Sequence, residues 1–188
     1  MIDSSSLIIT NGKRIQTIQT RQTMNQPEKS LTMCLLMTPD MANFAGVVHG
    51  GAMLKLLDQV AYACAAKYSR SYVVTASLDQ VFFTQHIKVG ELVTLYAHVN
   101  YVGTSSMEIG IKVVAENLTS HEQRNTISCF FTMVAVDENG KPKQVTPLII
   151  ATAVDKRLYE AAKLRKKMRQ QVLEQSLALH DEIPEDEV

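Results

Sequence analysis

The 188-residue sequence carries no excess charge of either sign: nineteen Lys and Arg balance nineteen Asp and Glu. No global field therefore draws nucleic acid or an anionic membrane, and an anionic ligand must be met by a local site. Paired cysteines are missing too. Cys34, Cys64 and Cys129 are odd in number, lack CxxC spacing and sit in apolar runs, which reads as reduced thiols in a cytoplasmic protein. No apolar run is long enough to span a bilayer. Familiar catalytic motifs are absent: no GxSxG elbow, no Walker loop, no GxGxxG after a strand and no HExxH. His49, His86, His98, His121 and His180 show no spacing that suits a metal, and none is expected. There is no internal repeat and no low-complexity segment.

What remains is a chain with 46% hydrophobic and 20% charged residues, long enough for one globular domain plus extensions. Residues 1–28 are rich in Ser, Thr and Gln and contain no apolar signal core, so a flexible tail is the first reading there and an acid-poor organelle transit peptide the second. Residues 31–37 form a short apolar run stopped by Thr38-Pro39, as a strand ending at a turn would be. A polar loop then runs from Asn43 into Gly50-Gly51, and an apolar helix of about five turns follows. Leu54, Leu57, Ala61, Cys64, Ala65 and Tyr68 recur at helical spacing and define its buried stripe. Asp58 breaks that pattern from the edge of the stripe, where a charge costs free energy unless it is paired or used.

Four extended stretches come next, separated by turns at 88–90, 102–104, 117–123 and 137–140. In residues 72–83, Val74, Ala76, Leu78 and Phe82 share one face, and Thr75, Ser77 and Asp79 the other. Residues 92–101 set Val93, Leu95, Ala97, Val99 and Tyr101 against polar neighbours, and residues 106–116 do the same with Met107, Ile109, Ile111, Val113 and Ala115. Residues 126–136 are apolar on nearly both faces, as a central strand would be. Each run is about twice the usual strand length of five or six residues, so the sheet must twist and curl. With one long apolar helix available to fill its concave side, the expected class is α+β, a curved antiparallel sheet wrapped around a helix.

A second helical stripe follows at Val154, Leu158, Ala161, Met168 and Val172. Lys163, Arg165, Lys166, Lys167 and Arg169 occupy its other faces, which reads first as a solvated face and second as a phosphate-binding one. The chain ends in the acidic residues 181–188.

The chemistry-bearing residues concentrate at the loop and helix start. Asn43 offers an uncharged donor, and glycines at a helix N-terminus let a ligand approach unpaired N–H groups where the dipole favours negative charge. Asp58 stands two turns further, roughly 10 Å along the axis. An oxyanion site, an amide and a carboxylate base suffice to hydrolyse an activated acyl group.

Asn43-x-x-Gly46-x-Val48-His49-Gly50-Gly51 followed by Leu57-Asp58-x-x-Ala61 resembles the hotdog-fold acyl-CoA thioesterases of the brain acyl-CoA hydrolase type. So do Val74-Thr75-Ala76-Ser77-x-x-x-Val81-x-Phe83, Val89-Gly90-Glu91, Val102-Gly103-Thr104-Ser105-Ser106-Met107 and Phe131-x-x-Val134-Ala135-Val136-Asp137, in that order. The resemblance covers about residues 30–147. It implies a hotdog domain over 29–147 with a C-terminal amphipathic helix and acidic tail over 148–188. It also implies hydrolysis of acyl-CoA to free fatty acid and coenzyme A, without a cofactor, by a homodimer assembled into a hexamer. Asn43 and Asp58 match the catalytic amide and carboxylate, Gly50 and Gly51 the carbonyl-polarising backbone, and Gly103, Thr104, Ser105 and Ser106 a segment associated with the coenzyme A moiety.

Other readings stay open. Asp58 also suits a structural pair with Lys55, Asn43 a turn, and Ser105 and Ser106 a hairpin. His49 suits a helix-start or loop hydrogen bond at least as well as it suits a base, and is read as non-catalytic. A hotdog dehydratase would need a catalytic His with an acid. A non-catalytic acyl-CoA-binding module would have no use for a carboxylate beside the thioester.

Overall fold

The computed structural model of the chain describes residues 27–180. The tail expected over 1–28 therefore lies almost wholly outside the described residues, and the acidic segment 181–188 entirely so. Chain order is β1 (Ser30–Leu36), a 3-10 turn (Pro39–Met41), α1 (Gly50–Ser69), β2 (Tyr72–Leu78), β3 (Phe82–Phe83), β4 (Leu92–Val102), β5 (Ser106–Glu116), β6 (Gln123–Val136) and α2 (Ala153–His180). The strands form one antiparallel sheet in the order β1-β4-β5-β6-β2, with β3 also on β6.

The alternation read in β4 and β5 places Val93, Leu95, Ala97, Val99, Met107, Ile109, Ile111, Val113 and Ala115 in the core. They face α1, which packs against β1, β2, β4, β5 and β6 and fills the concave side. On the helix, Met53, Leu57, Val60, Ala61, Cys64, Ala65 and Tyr68 are buried. Leu54, expected in the stripe, is 37% exposed instead. No helix among the described residues is long and apolar enough to cross a membrane.

Two further expectations fail, one at an extra residue in the ladder and one in the phase of a strand. The register shifts at Asn100, so Tyr101 leaves the inner face of β4 and pairs Glu108 on the outer one. In the run 72–83 the inward phase belongs to Val73, which is buried, and Thr75, which reaches α1, while Val74 is 39% exposed. The ladder shifts again at Ala76, and the run ends as two strands. A bulge of this kind turns every later side chain to the other face.

The second helix lies on the outer face, and its docking is mostly polar. Val154, Met168 and Val172 of its expected apolar stripe are more than half exposed. Ala162 is buried, and the Arg165 guanidinium stacks on the Phe130 ring at 3.6 Å. Arg165 also grips the buried Glu108 through two bonds, 2.6 Å to Oε1 and 3.2 Å to Oε2, and Arg169 pairs with Asp79. The solvated face expected for the basic residues thus holds for Lys163, Lys166 and Lys167 but not for the two arginines. Asn100 joins this network through Glu108, which explains Gly110 opposite it: a Cβ there would collide with Asn100 Nδ2. At the helix start, Asp155 accepts the N–H groups of Ala151 and Thr152 and an ammonium hydrogen of Lys29 at 2.6 Å.

Candidate active site

The loop before α1 is tied by its own asparagine. Asn43 Oδ1 accepts the N–H groups of Ala45 (2.9 Å) and Val47 (3.3 Å), and the Asn43 N–H donates to Val47 O at 2.7 Å. Gly46 takes the positive φ of 76° that closes the turn. With the side-chain oxygen committed to the loop, the amide NH2 is the half left to donate.

His49 caps α1: its Nδ1 accepts the Gly51 N–H at 2.8 Å. The Gly51 N–H is therefore already engaged in this structure. The Gly50 N–H has no acceptor among the described residues, and the Phe83 ring stands 3.7 Å from where a Gly50 Cβ would be.

Two turns along the helix, Asp58 Oδ1 accepts the hydroxyl hydrogen of Thr75 at 2.7 Å. Asp58 makes no ion pair with Lys55 or any other described cation. Asp79, the carboxylate of the run 72–83, is held by Arg169 on the opposite side of the sheet. The Asp58–Thr75 pair is exposed in the single chain, and Leu54 and Tyr62, one turn to either side of Asp58 on α1, are 37% and 41% exposed. This strip borders β2, an edge strand of the sheet.

Gly103, Thr104, Ser105 and Ser106 form the tight β4–β5 hairpin, closed by Gly103 N–H donating to Ser106 O at 2.7 Å. Register places it near the carboxylate: Thr75 pairs Met133, and Met133 pairs Met107, so two strand spacings of about 4.8 Å separate them. The fold brings Asp58, Thr75 and the hairpin to one region, and leaves Asn43 and Gly50 at the far end of the same helix.

Sequence reasoning missed Thr75, although the segment containing it was recognised. Its signal was positional: a hydroxyl residue in phase with the buried Val73. Burial pushes the Cys64 and Cys129 thiols up to about 12, which keeps both protonated near neutral pH. Among the described residues no cluster of His, Cys, Asp and Glu is arranged to hold a metal.

A sequence model of the thioesterase superfamily matches residues 45–120. An acyl-CoA thioester hydrolase of Bacillus subtilis, named as uncharacterized, is 35% identical over 144 residues, covering 77% of this chain and 84% of its own. The chain belongs to the acyl-CoA thioester hydrolases. Protein VdlD of Helicobacter pylori is 49% identical over 139 residues, 74% of this chain and 79% of its own. Among solved structures, an apo-hexameric acyl-CoA thioesterase is 39% identical with a TM-score of 0.74, covering 77% of this chain and 92% of that one. The acyl-CoA hydrolase of Staphylococcus aureus, solved with butyryl coenzyme A and coenzyme A, is 29% identical with a TM-score of 0.73, covering 84% and 98%. The curled sheet around α1 is accordingly the hotdog fold of this hydrolase family. Three variants of the Staphylococcus enzyme replace an asparagine, an aspartate and a threonine by alanine, spaced fifteen and then seventeen residues apart. Asn43, Asp58 and Thr75 repeat both spacings.

Proposed function

We propose that the protein hydrolyses fatty acyl-CoA at a site built from Asn43, Gly50, Asp58 and Thr75, two of them from each of two subunits. The observation that carries this reading is the Thr75–Asp58 hydrogen bond: a carboxylate with no ion-pair partner among the described residues, aimed by a hydroxyl, with Leu54 and Tyr62 exposed on the same helix. In the reaction Asp58 takes a proton from water, whose oxygen attacks the thioester carbonyl carbon. The Asn43 amide NH2 and the Gly50 N–H meet the negative charge that grows on the carbonyl oxygen. The C–S bond then breaks, and the coenzyme A sulfur leaves with the proton that Asp58 had taken. Coenzyme A is part of the substrate, and the scheme uses no cofactor. Residues 29–147 supply this chemistry, and residues 148–188 are an extension to it.

Sharing between subunits follows from distance. One carbonyl cannot touch both Gly50 and Asp58 when about 10 Å of helix separates them. A two-fold pairing along the β2 edge would bring the Asn43 loop of one subunit to the Asp58 strip of its partner. The exposed aromatic at the loop tip supports this: Phe44, beside Asn43, is fully exposed among the described residues. Further assembly of such dimers into a hexamer accords with the solved hexameric relative, and free thiols at Cys34, Cys64 and Cys129 suit the cytoplasm.

The test is subunit mixing, read by thiol release from acyl-CoAs of graded length. Asn43→Ala and Asp58→Ala proteins, each inactive alone, are co-refolded. Random pairing restores both groups to about a quarter of the sites, so activity returns towards a quarter of wild type. Mixed assemblies that stay dead would place both residues in one subunit's site. Wild-type protein that binds acyl-CoA without releasing thiol would instead favour the acyl-CoA-binding module.

A further inference from the structure

The basic face of α2 meets the β4–β5 hairpin at a single residue. A Cβ added to Gly103 would lie 3.5 Å from Lys166 Nζ and 3.0 Å from Ser106 Oγ, so an ammonium and a hydroxyl converge over a bare glycine backbone. Lys166 is held there by the Tyr101 ring, 5.1 Å from its centroid, and Tyr101 is in turn packed on Tyr159, ring centre to ring centre 5.1 Å. One turn back on the helix, Lys163 sits 5.9 Å from the Tyr159 ring.

The carboxylates of this face are already committed. Glu108 is taken by Arg165, Asp79 by Arg169, Asp155 by Lys29, and Glu160 lies 3.6 Å from Lys163. Lys166 has no carboxylate partner among the described residues, and the Ser106 hydroxyl makes no hydrogen bond there. A positioned, uncompensated ammonium beside a free hydroxyl and a glycine without a side chain is a place for an anion with several acceptor oxygens.

We infer that Lys166, together with Ser106, binds a phosphate of the nucleotide end of acyl-CoA, so that the C-terminal extension completes the substrate site. This rests on the reading of Asp58 and Thr75 as the place where the thioester reacts. The hairpin begins about two strand spacings, roughly 10 Å, from that pair. Thr75 faces α1 whereas Ser106 and Lys166 lie on the outer face, so the pantetheine arm of coenzyme A, longer than that gap, would join thioester and phosphate by passing round the hairpin end of the sheet.

Lys166→Ala leaves folding intact because the side chain is exposed on the helix. Its KM for acyl-CoA should rise about tenfold with kcat unchanged, while Lys166→Arg stays near wild type. With the matching acyl-pantetheine, which has no phosphate, wild type and Lys166→Ala should be indistinguishable. Dephospho-coenzyme A thioesters assign the contact: a persisting tenfold effect places it at the diphosphate, a vanished one at the 3′-phosphate. Lys167→Ala, one residue further round the helix, is the control for general charge. An active wild type whose KM is unmoved by Lys166→Ala overturns the inference, as does an equal effect from Lys167→Ala or with acyl-pantetheine. None of these outcomes touches the roles of Asp58 and Thr75, whose failure would appear as thiol release undiminished by Asp58→Ala.

Discussion

Removing the Arg165 side-chain charge should be among the most damaging single changes outside the active site. The Glu108 side chain is 2% exposed, and Arg165 supplies one hydrogen bond to each of its oxygens, at 2.6 and 3.2 Å. Arg165→Met keeps an apolar stem against Phe130 but removes both bonds. Glu108 then has only Asn100 Nδ2 at 3.3 Å and the more distant Arg169 at 3.6 Å. Breaking a buried pair by deleting one partner costs about 3–5 kcal/mol, because the remaining charge stays out of water. Arg169 and the 24% exposure of Arg165 both soften that penalty, which places the expected loss near 3 kcal/mol.

For a chain of this size about 3 kcal/mol corresponds to a fall in Tm of roughly 6–12 °C. Thermal unfolding at fixed protein concentration reads it directly. The decisive comparison is the double variant Arg165→Met with Glu108→Met, which buries two apolar groups and no charge. It should recover to within about 1 kcal/mol of wild type, since a buried pair is rarely better than its hydrophobic replacement. If the single variant loses less than about 1 kcal/mol, Glu108 is not a buried charge dependent on Arg165. A double variant as unstable as the single one would refute the reasoning too, by showing that α2 docking needs the guanidinium itself.

Thr75→Val should lower kcat about ten- to a hundredfold with little change in KM, the loss of one hydrogen bond to a carboxylate, and Thr75→Ser should retain most of the rate. Steady-state kinetics on the Val variant within twofold of wild type would remove Thr75 from the mechanism. Asp155→Asn should destabilise the fold in a pH-dependent way. The Lys29 hydrogen bond, with those of Thr152, holds the Asp155 carboxyl at about 2, below its ordinary 3.8. A depressed carboxylate stabilises above the ordinary value and loses that contribution as pH falls through the folded one. Urea unfolding should therefore show a deficit on the order of 2 kcal/mol at pH 7 that shrinks towards pH 2. A deficit equal at both pH values would mean that the charge of Asp155 is not what matters.

Patterning was legible wherever burial is apolar and the ladder runs without interruption. The inner faces of β4 and β5 were readable up to Asn100, and the stripe of α1 from Leu57 to Tyr68, because each inward position there holds a hydrophobic residue. Asn43 and Asp58 stood out for the opposite reason, as polar residues where the surrounding pattern left them unexplained. The docking of α2 was hidden because no periodicity of apolar residues marks a face buried through Arg165, Arg169 and Glu108.

Thr75 was hidden by a subtler conflict in residues 72–83. Val74, Leu78 and Phe82 share one phase and outnumber Val73, so alternation points the apolar set inward. The structure turns Val73 and Thr75 inward instead, and the extra residue at Ala76 then reverses the face. Val74 is left exposed on β2, an edge strand whose one ladder neighbour among the described residues is β6, and Leu78, returned by the shift to the phase of Phe131, is still 38% exposed at that edge. An edge strand that leaves Tyr72, Val74 and Leu78 exposed is poorly satisfied alone, which is what a partner subunit would correct. The same phase that costs the monomer this exposure aims the Thr75 hydroxyl at Asp58, so a misread strand and an incomplete single-chain site have one physical origin.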